Sequence, residues 1–262
     1  MKVTETKLKG VYVVEPQVFG DARGWFMESW SQRKLAAAGI DVAFVQDNQS
    51  YSAEKGTLRG LHYQLNPMCQ AKLLRATRGT IFDVAVDIRK GSPQYGAWGG
   101  VELSAENKKQ LFIPRGFAHG FITLTDDVEV QYKADNYYAP ECDGNIRWDD
   151  PDIAVAWPIA PTILSAKDAQ APTLRERAAE SLNFVYEGGR DCGGQQKAAA
   201  RGKSATIPVL REMGDFLQGT AEQVSGSVRI GIVGNCLRVT APLIALWYQA
   251  VCQKARPLSL AI

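Results

Sequence analysis

The chain has 262 residues, 45% of them hydrophobic and 22% charged, which suits one large or two small globular domains with a substantial core. Lysine plus arginine number 30 against 28 aspartates and glutamates, a formal charge of +2, so the balance gives no reason to expect nucleic acid or an anionic membrane as the main partner. Five cysteines (Cys69, Cys142, Cys192, Cys236, Cys252), odd in number and without a CxxC pair, argue for free thiols rather than a disulfide framework or zinc site; with Met1–Glu5 lacking the apolar core of a signal peptide, the expected compartment is the cytoplasm.

In chain order, Val11–Val14 is the first β-rich run. Ser31 then stands where it can N-cap a helix over Gln32–Ala38, with Gly39 suited to the left-handed position after it. Short β-rich runs follow at Leu58–Gln64, Lys72–Thr77, Ile81–Ile88, Gly99–Leu103, Gln110–Ile113, Gly120–Leu124 and Val128–Lys133, separated by turn residues. Many short strands at this spacing predict an antiparallel sandwich or barrel. Pro151, Pro158, Pro161 and Pro172 divide the next stretch into turns, and Thr173–Arg177 reads as one last short helix. The texture changes at Gly188. Two Gly-Gly pairs and the run Gln195–Lys203 read as a flexible linker, dividing the chain into 1–187 and 188–262. Beyond it Val228–Val233 and Leu243–Val251 are apolar, but Arg229 and Arg238 interrupt them, and no run approaches the ~20 residues of a membrane span. The sequence leaves this tail open between a poorly ordered extension, a small accessory element and a non-native read-through.

The chain has only two histidines. His62 lies in Leu58–Gln64, where period-two alternation puts Leu58, Gly60, His62 and Gln64 on one face and Arg59, Leu61 and Tyr63 on the other. Arg59 meets His62 only if Gly60 sits at a bulge or the long side chain reaches around. His119 stands between Phe117 and Phe121. Taken singly, each histidine reads as a hydrogen-bonded core residue. Tyr132 shares an inward face with Val128 and Val130, as a core tyrosine or as a phenol at a polar cavity able to act as general acid. Asp83 and Asp87 share one face of Phe82–Asp87 and suit a solvated outer face at least as well as a site. Asp168, in a polar turn, reads locally as a surface residue or cap. Lys72 is a cation able to hold an anionic group or a developing oxyanion. A mononuclear metal site normally needs three or four His, Cys or carboxylate ligands; Gln64, not histidine, follows His62, and His119 is distant in sequence, which argues against a metal-dependent enzyme. Neither GxGxxG nor GxxxxGK[ST] is present.

Six motifs, in order, carry a resemblance. They are Phe19–Glu28, Val45–Ser50, Gly56–Gln64, Ile81–Arg89, Ile113–Phe121 and Ile146–Pro151. Together they resemble the dTDP-4-dehydrorhamnose 3,5-epimerase family over roughly residues 3–186. The resemblance implies a mainly β, cupin-like jelly-roll barrel with a few short helices. It also implies a homodimer that needs no cofactor or metal, and a dTDP-4-keto-6-deoxyhexose substrate inverted at C3 and C5 on the route to dTDP-L-rhamnose. By position it makes His62 the base, Asp168 its carboxylate partner, Tyr132 the acid on the opposite face and Lys72 the stabiliser of the enolate oxygen. Arg59 and His119 would line the sugar and phosphate pocket. Arg23, Glu28, Gln46, Asp47 and Asn48 fall on nucleotide-binding positions, Tyr138 on that of an aromatic stacking on thymine, and Asp143 and Lys167 on further substrate contacts. Arg23 and Glu28 would serve the neighbouring protomer. Met68-Cys69-Gln70-Ala71 stands where the family often has a Pro-Gln-Gly turn before the lysine. Three other functions stay open at this point: a single-site C3 or C5 epimerase of another deoxysugar pathway, a metal-dependent cupin, and a catalytically inactive sugar-nucleotide-binding protein.

Overall fold

The computed structural model describes residues 1–186, Gly188, 231–233 and 236–238. Alternating β-branched and aromatic residues, punctuated by Gly, Pro and Asp, form strands β1 (Lys2–Glu5), β2 (Tyr12–Glu15), β3 (Val18–Asp21), β4 (Gly24–Met27), β5 (Gln46–Ser52), β6 (Leu58–Gln64), β7 (Lys72–Arg78), β8 (Thr80–Asp87), β9 (Trp98–Ser104), β10 (Gln110–Ile113), β11 (Phe117–Thr123), β12 (Val128–Ala134) and β13 (Asp143–Asn145). Two antiparallel sheets result, ordered β1-β2-β10-β7-β12-β5 and β13-β6-β11-β8-β9, with β3 and β4 as a separate hairpin. Leu74, Leu111, Ile113, Val128 and Val130 of the first sheet share one apolar cluster with Ile81, Ala85, Leu103, Phe117 and Phe121 of the second. The sheets therefore lie face to face, and this is the cupin-like barrel.

The second sheet is also covered from behind. Leu61, Tyr63, Val84, Val86 and Ala118 pack there against Ile146, Ile153, Leu174 and Phe184 of the later chain. Its central strands are thus buried on both sides; every residue of β11 is buried. This corrects two expectations. β11 starts at Phe117, three residues before the predicted Gly120, so His119 is mid-strand. Asp83 and Asp87 are not on a solvated face: both are 0% exposed, because the side of β8 that carries them points into the barrel.

Among the described residues three α-helices flank the sheets. In α1 (Gln32–Ala37) Ser31 accepts from the Lys34 N–H and Gly39 takes φ 91°, as the capping signals predict. In α2 (Ala166–Ala169) Ser165 accepts from the Asp168 N–H. In α3 (Leu174–Glu180) Thr173 and Glu176 form a reciprocal capping box. The buried Asp150 carboxylate also accepts from the Leu174 N–H, at 2.7 Å. The β3–β4 hairpin leaves Phe19, Trp25 and Phe26 exposed, Phe26 by 69%.

The chain divides into two units, Met1–Ala199 and Ala200–Ile262. In the second, β14 (Gly231–Val233) pairs antiparallel with β15 (Cys236–Arg238). Apart from Gly188, the linker read over 188–203 lies outside the described residues, as does Leu243–Val251. Among the described residues no helix is long and apolar enough to cross a membrane, and Cys69 and Cys142 are free thiols, both buried.

Candidate active site

The ladder between β6 and β11 has one irregularity, and it shapes the site. His62 is opposite His119, but Arg59 is opposite Phe121, so three steps on β6 match two on β11. The extra residue is absorbed at Gly60, with φ +136°. A Cβ added there would lie 2.5 Å from the Cα of Gly120 and 2.9 Å from the His119 carbonyl oxygen, a contact with backbone that only glycine avoids. The bulge undoes strict alternation. Arg59 and His62 both reach one cavity of about 440 Å³, together with Lys72, His119, Tyr132 and Asp168.

The cavity takes side chains from both sheets. His62 and Arg59 come from β6 and His119 from β11, in the five-stranded sheet; Lys72 comes from β7 and Tyr132 from β12, in the six-stranded sheet facing it. An imidazole and a phenol therefore stand on opposing walls. The segment 163–168 lines the cavity as well, anchored by a bridge from Ile163 to Thr57.

His62 Nε2 lies 2.6 Å from Asp168 Oδ1, and the Gly60 N–H donates to Oδ2 at 3.4 Å. Burial pushes the Asp168 carboxyl up, but the His62 hydrogen bond and charge, with the Ser165 and Gly60 contacts, hold it below the usual carboxylate range. A carboxylate so placed orients the imidazole. A second imidazole–carboxylate pair lies beside it: His119 Nε2 is 2.7 Å from Asp83 Oδ1. There burial dominates. It raises the Asp83 carboxyl and lowers the His119 imidazole, and the attraction between them offsets only part of that. Burial likewise pulls the Lys72 ammonium down to about 8, against the attraction of Asp83 and Asp143. Burial raises the Tyr132 phenol, with Arg59 acting the other way. Lys72 Nζ lies 5.8 Å from the centre of the Tyr132 ring. Arg59 is held by the Tyr51 carbonyl at 3.0 Å and the Ser52 hydroxyl at 3.2 Å.

The expected nucleotide-binding residues fall into three places. Lys167 lines the cavity and pairs with Asp143, to which the Tyr138 hydroxyl donates at 3.5 Å. Gln46 donates to Asn48 at 3.0 Å and accepts from the Tyr138 N–H at 3.0 Å, so this group forms one polar cluster next to Lys167. Asp47 is on the other face of β5, paired with Lys133 at 2.9 Å. Arg23, on the exposed hairpin, pairs with Asp21, and Glu28, just beyond it, pairs with Lys34 at 2.8 Å. Neither Arg23 nor Glu28 lines the cavity of its own chain.

Several residues of the site, Asp83, Ser50 and Phe121 among them, escaped the sequence reading. Asp83 was read as solvated, while Ser50 and Phe121 were not singled out; the last two line the cavity. Ser50 shares alternation with Gln46 and Asn48, a signal available once β5 is recognised as a strand. Among the described residues no three His, Cys, Asp or Glu side chains come together as a metal site.

A profile of the family described as dTDP-4-dehydrorhamnose 3,5-epimerase matches residues 5–176. The dTDP-4-dehydrorhamnose 3,5-epimerase of Shigella flexneri is 54% identical over 169 residues, covering 64% of this chain and 93% of that protein. The crystal structure of dTDP-4-dehydrorhamnose 3,5-epimerase from Bacillus anthracis, with TDP and pyrophosphate bound, is 48% identical with a TM-score of 0.64, covering 66% of this chain and 98% of that one. That of dTDP-6-deoxy-D-glucose-3,5-epimerase from Legionella pneumophila, in complex with dTDP-4-keto-L-rhamnose, is 45% identical with a TM-score of 0.68, covering 71% and 98%.

Proposed function

This chain belongs to the dTDP-4-dehydrorhamnose 3,5-epimerase family, and from that premise we propose how its cavity carries out the family's reaction. The protein is an isomerase of dTDP-L-rhamnose biosynthesis. It converts dTDP-4-dehydro-6-deoxy-D-glucose to dTDP-4-dehydro-L-rhamnose by inverting C3 and C5, the two carbons that flank the 4-ketone.

A hydrogen on either carbon is acidic because its removal leaves an enolate. His62 takes that proton, and Asp168 steadies the imidazolium that forms. The electron pair moves onto the ketone oxygen, where the Lys72 ammonium meets the new negative charge. Tyr132 returns a proton from the opposite wall, which inverts the centre. His119 and Arg59 hold the sugar and phosphate end. Lys167, Asp143, Gln46 and Asn48 border the nucleotide, with Tyr138 offering a flat, exposed ring for thymine. The observation that carries this reading is the placement of His62 and Tyr132 on facing sheets around one cavity that also holds Lys72.

The test is turnover in deuterated water. Label appearing at both C3 and C5 of the product supports double epimerisation. Label at one carbon only replaces it with single-site epimerisation, and label at neither refutes both.

The working unit in this reading is a cytoplasmic homodimer. The β3–β4 hairpin carries Phe19, Trp25 and Phe26 exposed and outside the apolar clusters of the described residues. We assign it to the partner's cavity, where Arg23 and Glu28 complete the diphosphate and nucleotide site. Mixing Arg23→Ala subunits with His62→Ala subunits then regenerates intact sites, and activity rises well above either variant alone. No recovery in a verified mixed dimer removes the exchange of hairpins.

A further inference from the structure

We propose that Asp83, a residue of β8 with no assigned part in the reaction, is a positioning residue: its carboxylate is the counter-charge of the Lys72 ammonium and the anchor of the His119 ring. The proposal rests on the epimerase reading for its consequence but not for its geometry. Asp83 is 0% exposed and His119 is 8% exposed. Only one carboxylate oxygen is used: Oδ1 meets His119 Nε2 at 2.7 Å, and Oδ2, also buried, has no hydrogen-bond partner among the described residues. A buried carboxylate oxygen left unbonded is costly, and native structures retain one where a nearby charge or a function compensates.

The compensating charge is Lys72. Among the described residues it forms no ion pair within 4.0 Å, and two carboxylates act on it, Asp83 more strongly than Asp143. Asp143 already has Lys167 as its partner. That leaves Asp83, with Oδ2 unbonded, and Lys72, with no ion pair among the described residues, as the anion and cation still short of a partner. The other titratable groups around them are Tyr132 on β12, beside Lys72, and His62 on β6, next to His119 in register. Tyr132 is neutral at working pH and His62 is tied to Asp168.

The chemistry explains why such a carboxylate is kept. Burial pulls the Lys72 ammonium toward loss of its proton, and a neutral amine cannot stabilise an enolate oxygen. Asp83 opposes that loss through its negative charge. Because one ketone oxygen serves both C3 and C5, removing the Asp83 charge affects exchange at the two carbons alike.

Asp83→Asn keeps an acceptor for His119 while removing the charge. With lysine labelled at 13Cε, the Lys72 titration midpoint in the folded variant should fall by about one pH unit or more. The alkaline limb of kcat/KM should shift down with it, and deuterium exchange at C3 and C5 should decline in parallel. A Lys72 midpoint that stays put in a folded, active variant overturns the proposal. Should that variant fail to fold, Lys72→Gln reads the same coupling in reverse: the Asp83 carboxyl, followed by 13Cγ, must titrate at higher pH, and an unchanged midpoint is equally fatal. Absence of deuterium exchange in the wild-type enzyme would instead sink the epimerase reading while leaving the Asp83–Lys72 coupling measurable.

Discussion

Replacing Asp168 by asparagine changes almost no volume and tests the base directly. Asp168 is 2% exposed, with Oδ1 2.6 Å from His62 Nε2 and Oδ2 receiving the Gly60 N–H at 3.4 Å. In the variant that N–H still needs an oxygen, so the amide oxygen takes the Oδ2 position and the NH2 turns toward the ring. The amide then donates to Nε2, and the single proton of neutral His62 sits on Nδ1. The remaining nitrogen has no lone pair with which to take a proton from the sugar. A hydrogen bond to a charged group is worth about 1.5–3 kcal/mol, or roughly 10- to 150-fold in rate, before the tautomer is counted. We therefore expect kcat to fall at least about 100-fold with KM within a few-fold of wild type. The assay is deuterium incorporation at C3 and C5, followed by NMR at saturating substrate, alongside circular dichroism to verify folding. A folded variant that keeps more than about a third of wild-type exchange would refute the assignment of His62 and Asp168 as one unit.

The same pair gives a stability prediction. Because the folded Asp168 carboxyl titrates below its ordinary 3.8, its contribution is present above that pH and lost as pH falls through the lowered value; the stability gap between wild type and Asp168→Asn should close in acid, as measured by urea unfolding. Lys72 follows the same sign in a higher pH window. Its folded value of about 8 lies below the ordinary 10.5, so the unfolded chain binds more protons between those values; wild-type stability relative to Lys72→Met should rise across that window, and a flat difference contradicts the burial argument. Tyr132→Phe should retain proton abstraction, seen as solvent exchange, but lose most inversion; full inversion by this variant removes Tyr132 from its role. Gly60→Ala forces a side chain onto the Gly120 backbone at φ +136°, at a strain of about 1–3 kcal/mol, and should lower Tm by several degrees and most of the activity with it; wild-type behaviour would mean the bulge is not required.

Much of this was legible before any coordinates. Leu58–Gln64 and Gln110–Ile113 have the strand limits that alternation predicts. Ser31, Gly39 and Thr173 mark helix ends by local chemistry alone, because a hydroxyl beside an unpaired N–H needs no distant partner. β1 and β5 were missed because charged or amide residues occupy much of their length, and the β3–β4 hairpin because each of its strands is only four residues long. The hairpin and β5 are also largely exposed, so no apolar alternation announces them.

The amino-acid order by itself determined the β-rich architecture, the helix caps and, through six motifs, the family; these rest on neighbours a few residues apart. Tertiary structure alone decided which way the functional groups point. It placed Asp168 against His62 across 106 residues, turned Asp83 inward because both faces of its sheet are covered, and set Arg59 beside His62 through a bulge that exists only where β6 lies against Gly120. A strand's alternation says which residues share a face, but the packing of other strands and segments around it decides which face meets the cavity.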